Sequence, residues 1–168
     1  SRQITWERVS TPVERWMATG GAGSLPYRLV TNYLVLQMRL LGGTSVFPEY
    51  LPENDFTPAA RVLAGYCAQG RPAYVRGVVS GGTRVVQAAR EYGLDISGTL
   101  FSVSGEPLSQ AKREFIESSG AAVYPQYHSS DLGILGFACP EMKHGNCVHL
   151  FEDANIVLPQ RRPEGYDA

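Results

Sequence analysis

Five consecutive residues, Tyr127-His128-Ser129-Ser130-Asp131, combine an aromatic ring, an imidazole, two hydroxyls and a carboxylate. Upstream, Ser104-Gly105-Glu106-Pro107 offers a second carboxylate and a glycine beside which a ligand can approach the backbone. An aromatic face can stack on a base, hydroxyls can bond a phosphate, and carboxylates suit a hard cation such as Mg²⁺. Further on, Cys139, His144, Cys147 and His149 form C-x4-H-x2-C-x-H, a donor set that suits a tetrahedral Zn²⁺ of structural type. Gly145-Asn146 is a turn that can bring His144 and Cys147 together, and Cys67 is an alternative to His149 as fourth ligand. Each segment also has a plainer reading. Glu106 before Pro107 can complement a helix dipole, Ser129 to Asp131 can form a turn, Tyr127 can be packing, and the cysteines can be free thiols beside surface histidines.

The elements that must position these residues alternate between helix and strand. Residues 27–41 are apolar nearly all round, which predicts a buried helix stopped by Gly42-Gly43. "TSVFPEY" reads as a short strand. "DFTPAARVLAGYCAQG" reads as a helix with Thr57 as N-cap, Pro58 in the first turn and a stripe of Val62, Leu63, Tyr66 and Cys67. "AYVRGVV" is a strand. "SGGTRVVQAAREYG" is a helix with Val85, Val86, Ala89 and Tyr92 on one face, closed by Gly93. "GTLFSVSG" is a strand. "PLSQAKREFIESSG" is a helix burying Leu108, Ala111, Phe115 and Ile116, with Lys112, Arg113, Glu114 and Glu117 towards solvent. "AAVYPQ" is a strand, and "CVHLFEDANIVLP" reads as paired strands with a turn around 153–155.

This alternation predicts an α/β fold: a mostly parallel sheet with flanking helices, then a small antiparallel β segment. Residues 1–168 form a single domain, with the α/β core over 25–133 and the Cys/His loop and β segment over 134–168. Ligands of open parallel sheets bind outside the carboxyl ends of the strands, and consecutive strands usually lie side by side. The loop 104–107 and the segment 127–133 therefore face each other, and together they describe a nucleotide site.

Composition narrows the partners. A net charge of −1 argues against a general nucleic-acid binder, which needs a basic face. No apolar run approaches the ~20 residues of a membrane span, and no signal peptide is visible. Three cysteines are an odd count, unlike a disulfide framework, which points to a cytoplasmic protein. The chain opens without Met and stops just after a strand-like run, as expected of a piece of a larger protein.

From Gly42 to Pro159 the chain resembles the adenylate-forming enzymes that include acyl-CoA synthetases. The nearest branch looks like the phenylacetate–CoA ligases and relatives such as coenzyme F390 synthetases. The resemblance is carried by "SVSGEPLSQAKREFIESSGAAVYPQYHSSDLG" followed by "HLFEDANIVLP". In that family a Gly-Glu-Pro loop precedes a helix, a glycine, a strand and a motif of the form Tyr-Gly-Ser/Thr-Ser/Thr-Glu. A short His-x-x-Glu-Asp strand follows. The resemblance implies that Gly105, Glu106 and Pro107 line an adenine pocket, with Tyr127 stacked on the base and His128 and Ser129 beside it. Ser130 then touches the α-phosphate and Asp131 helps hold Mg²⁺. The implied activity joins a small carboxylic acid to AMP from ATP, releases pyrophosphate, and passes the acyl group to the thiol of CoA. Some phenylacetate–CoA ligase-like proteins also carry a Cys/His zinc site in this region.

His128 stands where the family has glycine, and Asp131 replaces a glutamate. "TGGAGSLP" has the glycines of the family's phosphate loop but not its lysine, and the family's small C-terminal domain is expected beyond Ala168. The expectation is the central part of an ATP-dependent carboxylate–CoA ligase, inactive as an isolated piece, with a homodimer left open. The alternative is a non-catalytic, zinc-stabilised α/β binding domain derived from that fold. A dinucleotide fingerprint at "TGGAGS" is a weaker third reading, since it needs a preceding strand and a standard G-x-G-x-x-G.

Overall fold

The computed structural model describes residues 13–19, 24–52, 54–71, 73–129, 131–139 and 147–151. Strands β1 (Trp16–Ala18) and β2 (Pro48–Tyr50) form a small parallel pair, bridged by Arg15 and Glu49, with Arg15 Nε 2.7 Å from Glu49 Oε1. Between them lies helix α1 (Leu25–Leu40). Helix α2 (Thr57–Ala68) leads into β3 (Tyr74–Val78), α3 (Val79–Glu91), β4 (Leu100–Ser104), α4 (Gln110–Glu117) and β5 (Ala122–Ser129). Strands β6 (Gly133–Phe137) and β7 (His149–Leu150) complete a sheet of order β3-β4-β5-β6-β7. The β3–β4 and β4–β5 pairs are parallel, and the β5–β6 and β6–β7 pairs are antiparallel. This is the expected α/β class, with the antiparallel segment last. No described helix is long and apolar enough to cross a membrane.

The core lies between the sheet and the helices. Phe101 and Val103 of β4 and Val123 of β5 meet Val79 and Val86 of α3, Ile116 of α4, and Ala60 and Leu63 of α2. Gly82 lets α3 approach the sheet: a Cβ there would lie 3.6 Å from both Phe101 and Ile116. Burying a side chain of this size stabilises by about 1.5–3 kcal/mol. Along each strand, alternate residues point the other way. Arg76, Ser102 and Tyr124, which are register partners, share the opposite face.

Several local expectations are corrected. Helix α1 is not buried: only Thr31 and Val35 are, while Leu25, Leu29, Val30, Tyr33, Leu34 and Leu40 are exposed. A helix apolar all round needs neighbours on every side. Its described partners include Tyr50 under Arg28 and Phe47 under Arg39, which cover one narrow stripe. Thr57 is the first helical residue rather than the N-cap of α2; the Asp55 carboxylate accepts the Thr57 N–H at 2.9 Å and does the capping. Tyr92 is exposed, with Arg61 over its ring.

On α4 the Ala111 methyl is exposed, and Arg113 is buried at 5% exposure. Its Nη1 donates to the Val123 carbonyl at 3.0 Å and lies 3.6 Å from Glu117. The helical stripe therefore turns by one position, with a guanidinium spanning the gap to β5. Strands β1 and β6 are additions to the expected elements, being short and weakly patterned. The turn expected around 153–155 lies outside the described residues.

Candidate functional site

Three parallel strands end along one edge. Val78 pairs with Ser104, and Val103 pairs with Pro125. Gly105 and Tyr127 each come two residues beyond that last pair, at the carboxyl ends of neighbouring strands. The 104–107 loop and the last residues of β5 thus follow neighbouring parallel strands at the same edge of the sheet.

Gly105 is exposed and holds a φ of +78°, a conformation that side chains with a Cβ rarely adopt. The nearest atom to a Cβ there is Val78 Cγ1 at 3.5 Å, so its outer side is open. Pro107 is exposed, and Leu108 anchors the following turn in the core.

The Glu106 carboxylate is engaged within the protein. Its Oε1 accepts from the Ser80 hydroxyl at 2.6 Å, and its Oε2 accepts from the Ser80 backbone N–H at 3.0 Å. Lys112 Nζ stands 3.8 Å away. Helix α3 begins after Val78, whose side chain cannot cap it, and Glu106 supplies the missing acceptor from another loop. The dipole it complements is that of α3, not of the helix it precedes, which Ser109 caps by accepting from the Lys112 N–H.

The Ser80 hydrogen bonds, helped by Lys112, hold the Glu106 carboxyl below the ordinary value of 4.5. A depressed folded-state value means that this group stabilises fully above the unfolded value, and that the contribution is lost as pH falls through it. Glu106→Gln is therefore expected to flatten the loss of stability below about pH 4.5, as read by urea midpoints across that range.

Tyr127, His128 and Ser129 lie in β5 rather than in a loop, because β6 folds back and pairs with them. The pairing slips between Tyr127 and His128: Tyr127 faces Gly136 and His128 faces Ile134. Such a bulge re-aims side chains at a strand end. Tyr127 is 55% exposed, and His128 is exposed beside it. Asp131 is exposed, and its N–H donates to Ser129 Oγ at 3.3 Å, closing the turn. Ser130 lies outside the described residues.

No family model matches this chain, and no curated protein does. Solved structures do show similarity. One is a 2-hydroxyisobutyryl-CoA ligase in an open conformation, in complex with 2-HIB-AMP and CoA: 18% identity, TM-score 0.43, over 55% of this chain and 24% of that one. A second is the N-terminal domain of FACL13 from Mycobacterium tuberculosis: 16% identity, TM-score 0.46, over 80% of this chain and 33% of that one. A third is IdnL7: 18% identity, TM-score 0.37, over 79% of this chain and 26% of that one. The chain thus spans between a quarter and a third of their lengths.

The sheet's other end brings part of the Cys/His set together. Cys139 Sγ lies 3.1 Å from His149 Nε2, because β7 pairs with β6 and sets His149 opposite Phe137. Gly136 permits that approach: a Cβ there would lie 2.4 Å from the His149 carbonyl oxygen. Cys147 is exposed, and His144 lies outside the described residues. Among the described residues no three metal-ligating side chains gather at one point. Cys67 donates its thiol to the Ser97 carbonyl at 3.3 Å, and it is His149 that meets Cys139.

Two residues of this edge carry no motif signal of their own. Ser80 read only as a helix start, since its partner Glu106 is distant in the chain. Gln126, next to Tyr127, is buried, and its Nε2 has no hydrogen-bond partner among the described residues. Its position beside the motif was the one available signal.

Proposed function

We propose that this chain is the central part of an ATP-dependent, adenylate-forming carboxylate–CoA ligase of the phenylacetate–CoA ligase-like branch. The observation that carries this reading is that Gly105 and the exposed Tyr127 both follow the carboxyl ends of neighbouring parallel strands. That edge is where an open α/β sheet takes a ligand. The motif order of the Gly-Glu-Pro loop and the Tyr-to-Asp segment supports the assignment.

In this reading Gly105 and Pro107 border the adenine and Tyr127 stacks on it, with Glu106 at the rear of the loop and His128 and Ser129 at the rim. Ser130 meets the α-phosphate. Asp131, a carboxylate on an exposed turn, is suited to share Mg²⁺. The bound nucleotide would supply the activated phosphoryl group to which a small carboxylic acid is joined before transfer to CoA. A Zn²⁺ on Cys139, His144, Cys147 and His149 would pin the segment after β6. The donor chemistry of the Cys139–His149 contact fits that ion. A cytoplasmic setting completes the proposal. So does a homodimer, for which the exposed apolar face of α1 offers a surface.

The second reading, a zinc-stabilised binding domain without catalysis, is favoured by the commitment of the Glu106 carboxylate to Ser80 and by the histidine at 128. Calorimetric titration of the full-length protein with ATP and AMP separates the two. The ligase reading expects nucleotide binding that Tyr127→Ala weakens about 5- to 150-fold, since a base–aromatic stack contributes ~1–3 kcal/mol. A full-length protein that takes neither nucleotide sinks it. Metal analysis of the purified protein decides the zinc: a folded, metal-free protein excludes a structural ion.

A further inference from the structure

We infer that Ser80 is a positioning residue of the nucleotide site, acting through Glu106 to hold the Gly105 loop in its binding shape; this rests on the nucleotide reading above. Three anchors fix the loop between β4 and α4. At its start, Ser104 pairs with Val78. At its end, Leu108 is buried in the core. Between them, Glu106 reaches across to the first turn of α3 and accepts both the hydroxyl and the backbone N–H of Ser80, at 2.6 and 3.0 Å. Gly105 sits directly before this clamp, at a positive φ and with its outer side open.

Without the middle anchor, a glycine is free to leave that conformation. The ordering cost would then fall on ligand binding, which lowers affinity. Ser80 is itself held: Thr83 Oγ1 donates to its carbonyl at 2.9 Å. The clamp also fills the anion-attracting N-terminus of α3 with a protein carboxylate. The phosphates of a bound nucleotide are thereby directed away from α3 and towards the turn that follows Ser129.

Calorimetry with AMP on the full-length protein tests this, together with hydrogen exchange at 104–107. Ser80→Ala removes the shorter bond and is expected to weaken AMP about 3- to 10-fold, the equivalent of one hydrogen bond. Exchange at Gly105 and Glu106 should quicken in the same variant. Ser80→Thr keeps a hydroxyl and should restore both. Gln87→Ala, on the exposed side of α3 where Gln87 bonds Glu91, touches neither Ser80 nor Glu106 and should leave AMP affinity unchanged. The inference is overturned if Ser80→Ala binds AMP as the wild type does, or if Ser80→Thr loses as much as Ser80→Ala. A wild-type protein that takes no AMP overturns the nucleotide reading and this role with it. That outcome is recognised because the wild-type titration itself is blank.

Discussion

Arg113→Ala is expected to destabilise the fold by about 2–4 kcal/mol, in proportion to a charged hydrogen bond and a long buried stem. Arg113 is 5% exposed, and its guanidinium donates to the Val123 carbonyl at 3.0 Å. Its ion pair with Glu117, at 3.6 Å, matters less, because Glu117 is nearly half exposed and stays solvated when the arginine is gone. Both Arg113 and Glu117 also act on the phenol of Tyr124, whose value is pushed up first by burial and then by Glu117.

The variant would thus loosen β5 just upstream of Tyr127, where the candidate site begins. Urea unfolding should show a lower midpoint with an unchanged slope. Arg113→Met keeps most of the stem and should recover the packing part of the loss, but not the hydrogen bond. If Arg113→Ala proves as stable as the wild type, the tie between α4 and β5 has no energetic weight.

Gly136→Ala is expected to strip β7 from the sheet. A Cβ at this position would meet the His149 carbonyl oxygen at 2.4 Å and Val148 Cγ2 at 3.2 Å. The first contact is with backbone, which cannot swing aside as a side chain can, and overpacking of this kind costs about 1–3 kcal/mol. Strand β7 is a two-residue edge strand with little burial, so it should detach before the core yields.

His149 would then leave Cys139, and any zinc held by that pair would go with it. Hydrogen exchange at His149 and Leu150 should rise, and metal content should fall, while the main unfolding transition stays in place. Gly65→Ala is the control: its Cβ meets nothing within 4 Å in the interior of α2, and it should be neutral or stabilising. Retention of both protection and metal in Gly136→Ala would disprove the coupling between this glycine and the Cys139–His149 contact.

Much of the fold was legible in the chain because its signals are local. Phe115 and Ile116 mark one helix face, preceded by the buried Leu108; Val85, Val86 and Ala89 mark another, and Gly93 closes its helix at a φ of +62°. The β-α-β rhythm of 74–125 leads to a parallel sheet because strands so spaced need helical crossovers. From that followed the edge on which Gly105 and Tyr127 lie together. The chemistry offered by Tyr127, Asp131, Cys139 and His149 was likewise visible from residue type and order.

Other features depended on partners that no local pattern reveals. The apolar circumference of α1 predicted burial, yet what covers a helix is decided by what packs beside it, and little of the described structure does. Charge predicted that Arg113 faces solvent, but the half-turn geometry of α4 points it at a β5 carbonyl that accepts it. Tyr127 to Ser129 read as a loop because the strand pairing with them, β6, is short and carries two glycines.

Glu106 shows the division most sharply. The sequence alone determined that a carboxylate stands between Gly105 and Pro107 after a strand, within reach of a ligand edge. Only the tertiary structure decided where its two oxygens are spent, because Ser80 comes near through the parallel register of β3 and β4 and not through the chain. Residue type sets what a group can do, and packing across strands sets which partner it meets.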